Sequence, residues 1–106
     1  MSNYVIVPEM NNAKLRYDFN AICELEDMYD SLPNLFADKK VFNSTRNLLL
    51  VGLRWEKPDI SISEVGDLIA GYLSSGKTFE DLREHINTAL VRSGVVKLEE
   101  ETQEKN

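Results

Sequence analysis

The residue types that carry most catalytic and metal chemistry are scarce in this chain. Cysteine and histidine each occur once, as Cys23 and His85. A single cysteine excludes an intrachain disulfide and fits a reducing compartment. The pair offers no ligand cluster at metal-binding spacing, and a Ser/His/Asp or Cys/His arrangement would depend on His85 alone. We therefore expect no metal, no cofactor and no enzymatic activity, and we interpret His85 as a surface or boundary residue.

Basic residues are also in the minority. The 106 residues include 12 Lys and Arg against 18 Asp and Glu, which gives a net charge of −6. A nucleic-acid-binding protein needs a basic footprint, so this class is disfavoured. Two predicted helices after Ser44 resemble a helix-turn-helix, but the second, Ser63 to Leu73, contains Glu64 and Asp67 and no basic residue. Reading of DNA bases by that helix is therefore not expected.

Long apolar runs are absent from the sequence. The longest spans Leu48 to Val51, far short of a membrane-spanning segment or the apolar part of a signal peptide. The length indicates one domain, and 42% hydrophobic with 28% charged residues is ordinary globular composition. We expect a soluble intracellular protein with one globular domain over residues 1–94 and a charged, flexible tail over residues 95–106.

The N-terminal third predicts a β-hairpin followed directly by a helix. Tyr4 to Val7 is a β-prone run, and from Lys14 to Phe19 apolar and polar residues alternate as in a half-buried strand. From Ala21 to Ser31 the apolar spacing becomes helical, with Asn20 as the expected cap. Four carboxylates make this helix acidic on one face, and we interpret this face as the side of the helix that is exposed to solvent. Their proximity to Cys23 disfavours a thiolate and predicts an inert thiol. They are Glu24, Glu26, Asp27 and Asp30.

Three more helices are predicted, so the expected fold class is α+β, mainly α, with the hairpin packed on about four short helices. Leu32-Pro33-Asn34 is expected to break the chain, and Thr45 to Glu56 forms the second helix, capped by Asn43 or Ser44. That helix is apolar on nearly all sides, so it either fills the core or is partly covered by another molecule. Ser61 and Glu64 form a capping box for the third helix.

A phosphate-binding pattern overlaps the end of the third helix. Gly71 to Thr78 matches G-x-x-x-x-G-K-[ST] in full, the pattern of a loop whose N–H groups wrap phosphates. Such a loop follows a buried strand, whereas here the preceding residues have helical periodicity and place Tyr72 on an apolar face. The simpler interpretation is that Gly76 ends one helix and Thr78 caps the next, with Gly94 ending that last helix. A small nucleotide-binding protein using this segment is the alternative function.

Two segments resemble a known family. Phe19-Asn20-Ala21-Ile22-Cys23-Glu24-Leu25-Glu26 after a short strand is similar to the N-terminal signature of tail assembly chaperones of long-tailed bacteriophages and prophages. Gly52-Leu53, Pro58-Asp59-Ile60-Ser61 and Glu64-Val65-Gly66-Asp67-Leu68-Ile69 resemble a later segment of that family, with Ser61 where threonine is common. The resemblance runs in order from Leu15 to Leu90.

This resemblance implies a non-enzymatic protein of the host cell cytoplasm that is absent from the mature virion. Members bind the long tape-measure protein, keep it soluble, help the tail tube assemble around it, and tend to form rings or spirals of identical chains. A generic protein-interaction module is a further alternative. Candidate contacts with a client or another copy are apolar residues of the second helix and of the segment before it, with core packing as the alternative for each. They are Phe36, Phe42, Leu49, Leu50, Leu53 and Trp55.

Overall fold

A computed structural model describes residues 3–95, which form an antiparallel hairpin followed by five α-helices. This arrangement confirms the expected α+β, mainly α class. The strands are β1 (Val5–Val7) and β2 (Ala13–Leu15), joined through a 3₁₀ turn at Pro8–Met10. The helices are α1 (Phe19–Tyr29), α2 (Leu32–Ala37), α3 (Val41–Leu53), α4 (Ile62–Ser74) and α5 (Phe79–Arg92). All but Val95 of the predicted C-terminal tail lies outside the described residues.

The hairpin is present, but its second strand is shorter than predicted. Val5 pairs with Leu15 and both are buried, whereas the predicted strand ran on to Phe19. The chain leaves the strand after Leu15 because the Arg16 N–H donates to the Gly52 carbonyl of α3, at 3.0 Å, and turns toward that helix. Tyr17, which lies between β2 and α1, then enters the core. The alternation of apolar residues therefore marked burial correctly but overstated the length of β2.

The cap of α1 also differs from the prediction. Asp18, and not Asn20, stands before the helix, and its side chain accepts a hydrogen bond from the Ala21 N–H at 2.8 Å. The helix therefore begins at Phe19, two residues before the expected Ala21. A carboxylate at this position satisfies one of the free N–H groups of the first turn.

An additional short helix, α2, occupies the segment predicted as a break. Pro33 lies in its first turn, where a missing N–H leaves no hydrogen bond unmade. The Ser31 side chain caps it by accepting from the Asn34 N–H at 3.2 Å. The break predicted at Leu32-Pro33-Asn34 is therefore wrong: α1 already ends at Tyr29, with Asp30 in the left-handed region, and the proline lies at the start of α2.

Helix α3 begins four residues before the predicted Thr45. Neither Asn43 nor Ser44 caps it, because Ser44 and Thr45 are buried inside the helix and the Ser44 hydroxyl donates to the Val41 carbonyl at 3.2 Å. The two later helix starts agree with the sequence. Capping boxes are formed at the start of α4 and α5 by Ser61 with Glu64 and by Thr78 with Asp81.

The core surrounds the C-terminal half of α3. Every residue from Leu48 to Leu53 is buried, with α1, α4, α5 and β2 packed around them. Gly52 allows the closest approach, since a Cβ there would lie 2.5 Å from the Leu15 Cδ1 and 2.8 Å from the Tyr17 Cζ. The Tyr17 hydroxyl donates to the Leu48 carbonyl at 2.6 Å. The hairpin and the segment after it therefore cover one side of this helix without a gap.

Candidate protein-binding groove at the start of α3

Three of the six predicted contact residues lie in the core. Leu49 is 0% exposed, and Leu50 and Leu53 are buried as well. Of the two alternatives that the sequence left open for these residues, this placement favours core packing, because α1, α4, α5 and β2 all pack against α3. For Leu49, Leu50 and Leu53 the structure therefore shows core packing.

Trp55 ties the hairpin to the end of α3. Its indole Nε1 donates to the Lys14 carbonyl at 2.9 Å, and its ring stacks on Tyr4 with centroids 5.9 Å apart. The Arg16 guanidinium also lies over the Trp55 ring, at 5.0 Å from the ring centroid. The side chain is still 37% exposed. Its described contacts hold the hairpin against the end of α3. Contact of Trp55 with a partner stays a prediction.

Phe36 and Phe42 are the two predicted residues that project from the surface. Phe36, on α2, is half exposed, and Phe42, in the first turn of α3, is 71% exposed. Only Phe42 lies in a larger apolar feature. Its ring packs at 4.7 Å from that of Phe79 at the start of α5, with the ring planes inclined by 59°. The structure thus brings together two aromatic residues from the first turns of α3 and α5.

Phe42 and Phe79 border a hollow of about 220 Å³ that we name the Phe42 groove. Helix α3 supplies one wall, α4 the opposite wall, and the first residue of α5 closes one end. Phe42 and Arg46 lie one helical turn apart on α3, and the α4 residues follow a helical spacing, so each helix turns one stripe toward the groove. The lining residues are Phe42, Asn43, Arg46, Gly66, Ile69, Leu73 and Phe79.

Gly66 keeps the groove open. A Cβ at this position would have its nearest neighbour, the Arg46 Cδ, at 4.0 Å, which is open van der Waals spacing. Gly52 differs in this respect, because a Cβ there collides with the hairpin. The missing side chain of Gly66 is therefore not needed for packing between the helices. It leaves space at the surface.

Arg46 is the one charged residue that lines the groove. Among residues 3–95, no carboxylate forms an ion pair with its guanidinium, and its Nε is buried without a hydrogen-bond partner. The bond from Nη2 to the Asn43 Oδ1 is long, at 3.4 Å. A buried guanidinium N–H without an acceptor is unfavourable. The groove therefore combines apolar walls with an unsatisfied cationic donor.

Sequence reasoning identified Phe42 but missed Arg46 and Gly66. The i, i+4 spacing of Phe42 and Arg46 becomes a signal only once α3 is known to begin at Val41, and the prediction started the helix at Thr45. Gly66 was noted as part of a family segment and not as a feature of a surface. Ile69 and Leu73 also line the groove, and both are at least partly exposed.

The segment from Gly71 to Thr78 forms a junction between two helices. The N–H groups that would surround a phosphate are already used: Ser75 donates to the Gly71 and Tyr72 carbonyls, Gly76 to the Leu73 carbonyl, and Thr78 to the Asp81 carboxylate. The Thr78 hydroxyl accepts from the Asp81 N–H at 3.0 Å. The hydrogen bond from the Thr78 N–H to the Asp81 carboxylate, and secondarily one from the Thr78 side chain, hold the pKa of Asp81 below its ordinary value. The geometry is that of a capped turn and not of a phosphate loop.

Two side chains that can titrate, Tyr72 and His85, lie close together near the same junction. Tyr72 is buried, its hydroxyl has no hydrogen-bond partner among the described residues, and its ring meets that of His85 edge-on at 6.2 Å. Burial raises the pKa of the Tyr72 hydroxyl, and nearby Asp81, Glu9 and Glu84 add to the shift. The hydroxyl therefore stays protonated at neutral pH.

Over residues 3–95, no group of three or more His, Cys, Asp and Glu side chains could hold a metal ion.

None of the helices within residues 3–95 combines the length and the apolar character needed to cross a membrane.

Comparison of the chain with protein-family models, with curated proteins and with solved structures finds no match.

Proposed function

We propose that this protein is a non-enzymatic tail assembly chaperone of a long-tailed bacteriophage or prophage. In this proposal it acts in the host cell cytoplasm, where it binds the tape-measure protein, keeps it soluble and promotes assembly of the tail tube. The tail tube protein is a second candidate partner, and a ring or spiral of identical chains is the proposed assembly. The mature virion would not contain the protein.

The observation that carries the proposal is the Phe42 groove. Large exposed aromatic side chains beside a hollow between helices are the usual receptor for an amphipathic helix. Phe42 is 71% exposed and lies 4.7 Å from Phe79, so the pair presents apolar surface that the fold itself does not cover. A client held through such a surface needs no reactive group. The two sequence segments that resemble the chaperone family add independent support.

The nucleotide-binding alternative has less physical support. Its segment has no free cradle of N–H groups, because Ser75, Gly76 and Thr78 donate within the capped turn. Lys77 forms an ion pair with Glu9 at 3.7 Å. A titration with ATP and GTP is the direct check. Measurable affinity that is lost in Lys77→Ala would replace the chaperone proposal.

Co-expression with the tape-measure protein tests the proposal. The client to test is the protein encoded by any very long coding frame that follows this gene in the source genome. We expect most of that protein to be insoluble when expressed alone and soluble when this chain is present. Phe42→Ser should lower the soluble yield several-fold. Gly66→Leu should lower the soluble yield as well, because the new side chain fills the groove. This variant complements Phe42→Ser, since it removes no native side chain.

Phe19→Ser is the matched control. Phe19 is 72% exposed, almost the same fraction as Phe42, but it lies at the start of α1 and does not line the groove. Equal losses in Phe19→Ser and Phe42→Ser would mean that general surface hydrophobicity, and not the groove, carries the activity. A soluble yield that does not depend on the presence of this chain would refute the chaperone proposal.

A further inference from the structure

The unsatisfied guanidinium of Arg46 indicates what the groove accepts besides an apolar side chain. No carboxylate within residues 3–95 forms an ion pair with Arg46, and the adjoining walls are apolar. We propose that the Phe42 groove recognises a helix of another protein that presents a large apolar side chain and a carboxylate one turn apart. This inference rests on the proposed function, because it specifies the helical segment that the chaperone selects.

The spacing of the two recognition elements follows from α3. Phe42 and Arg46 are four residues apart on one helix, so their Cβ atoms lie about 5–6 Å from each other. A helix packed alongside α3 has the same repeat. An apolar residue against Phe42 therefore places a carboxylate one turn away within reach of Arg46. The hollow of about 220 Å³ has room for a single large apolar side chain of that helix.

Charge complementarity selects the sign of the partner. The chain carries a net charge of −6, so most of its surface repels a carboxylate, whereas the charged lining residue of the groove is an arginine. A carboxylate that reaches Arg46 accepts a charge-assisted hydrogen bond in partly apolar surroundings, where such bonds are stronger than in water. A lysine at that position of the partner helix would instead be repelled by the Arg46 guanidinium.

A second copy of this chain does not offer the required pair. Of the exposed large apolar residues on the described helices, Met28 alone has a carboxylate three or four residues away on its own helix. That carboxylate, Glu24, already forms an ion pair with Arg54. Phe19 has Ile22 and Cys23 at the corresponding positions. The described helices therefore complement the groove poorly, which favours a different chain as its occupant.

Matched synthetic peptides test the carboxylate. The probe is a hydrocarbon-stapled helical peptide of about 15 residues, stapled because unconstrained helices of this length are only marginally stable. It carries a leucine anchor and Glu one turn away, and its two counterparts carry Gln or Lys in place of Glu. Binding is followed by NMR on the labelled full chain, through the Gly66 amide and the Arg46 Nε–H signals.

We expect the Glu peptide to bind about tenfold more tightly than the Gln peptide, as for one charge-assisted hydrogen bond. Arg46→Glu should reverse the preference in favour of the Lys peptide. Arg46→Gln should remove the discrimination and keep the signal changes at Gly66. Unchanged circular dichroism and melting temperature in both variants confirm that the fold is intact.

Two results would overturn the inference. Equal affinities for the Glu and Gln peptides, or no binding of either, would exclude recognition of the carboxylate. Dissociation of an oligomer by Arg46→Glu in light scattering would identify a second copy as the occupant. The soluble yield of the tape-measure protein is measured separately. If the peptides show no preference for Glu but the yield still depends on this chain, the protein is a chaperone without this selectivity. If the yield does not depend on this chain either, the chaperone proposal itself fails.

Discussion

The two halves of α3 differ in the way their apolar residues are used. From Leu48 to Leu53 the helix is buried on all sides, and its carbonyls even accept hydrogen bonds from the segment that covers them, from the Tyr17 hydroxyl and the Arg16 N–H. From Val41 to Asn43 the same helix is exposed and borders the Phe42 groove. The helix thus contributes residues 48–53 to the core and leaves its first residues, Val41 to Asn43, at the surface.

This difference separates stability from recognition within a single element. Substitutions in the buried half should lower the free energy of unfolding, and substitutions in the exposed half should change binding while the fold persists. The variants below test that separation by their effects on stability, from the largest expected loss to the smallest.

Leu49→Ala should produce the largest loss. The side chain is 0% exposed in the centre of the core, so its truncation removes buried apolar surface and leaves a cavity. Comparable substitutions cost about 2–5 kcal/mol. Urea unfolding followed by circular dichroism measures the change. A loss below about 1 kcal/mol would mean that this half of the helix is less well packed than the structure shows.

Gly52→Ala and Gly66→Ala form a matched pair in two neighbouring helices. At Gly52 the new methyl group would lie 2.5 Å from the Leu15 Cδ1 and 2.8 Å from the Tyr17 ring. The ring cannot easily move because its hydroxyl is bonded to the Leu48 carbonyl. Overpacking of this kind costs about 1–3 kcal/mol, which exceeds the gain of about 1 kcal/mol in helix propensity. We expect a net loss of up to about 2 kcal/mol.

Gly66→Ala should instead raise the free energy of unfolding by up to about 1 kcal/mol, because alanine favours a helix over glycine and its methyl group would meet the Arg46 Cδ at an ordinary van der Waals distance of 4.0 Å. The same denaturation experiment measures both variants. Stabilisation by both substitutions would contradict the close approach of the hairpin to α3.

Tyr17→Phe should lower the free energy of unfolding by about 1 kcal/mol at neutral pH, since it removes one buried hydrogen bond. Burial raises the pKa of the Tyr17 hydroxyl far above its ordinary value. A raised folded-state pKa gives stability that is complete below the unfolded-state pKa, about 10, and decreases above it.

The wild type should therefore lose more stability than Tyr17→Phe between pH 9 and pH 11, although Tyr72, whose pKa is also raised, contributes in both proteins. Unfolding curves at the two pH values give the comparison. Parallel losses in the two proteins would place the Tyr17 hydroxyl in contact with water.

Phe42→Ser should have the smallest effect on stability. The side chain is mostly exposed, and its principal described contact is the ring of Phe79. An aromatic pair of this kind contributes about 0.5–1.5 kcal/mol, so we expect a loss of about 1 kcal/mol or less. A loss as large as that of Leu49→Ala in the same urea titration would place Phe42 in the folding core and remove the distinction between the two halves.

Local signals explain the parts of the fold that the sequence predicted. The capping box of Ser61 and Glu64, the start of α5 at Thr78 and the hairpin each depend on residues a few positions apart, and all three are present. The starts of α1 and α3 were wrong because several capping residues competed nearby and tertiary contacts decided among them. Ser44 in particular is packed in the core and does not cap a helix.

The groove could be predicted only in part, for a different reason. Its walls come from α3 and α4 and from the first residue of α5, so the pairing of Phe42 with Phe79 depends on how these helices pack. The hydrophobic pattern of the sequence indicates that α3 is apolar on nearly all sides, but it does not show which part of the helix the hairpin covers. That choice follows from Gly52, whose missing side chain lets Tyr17 and Leu15 approach one half and not the other.

Hydrogen exchange of the amides, measured by mass spectrometry with and without the tape-measure client, tests the division of α3 most directly. The account predicts new protection in residues 41–46 and in the parts of α4 and α5 that border the groove, around residues 66–79. Residues 48–53 should exchange slowly in both states and change little. Faster exchange at residues 48–53 on client binding would mean that the core opens to receive the client, and new protection confined to α1 would place the client elsewhere. Either result would contradict the account.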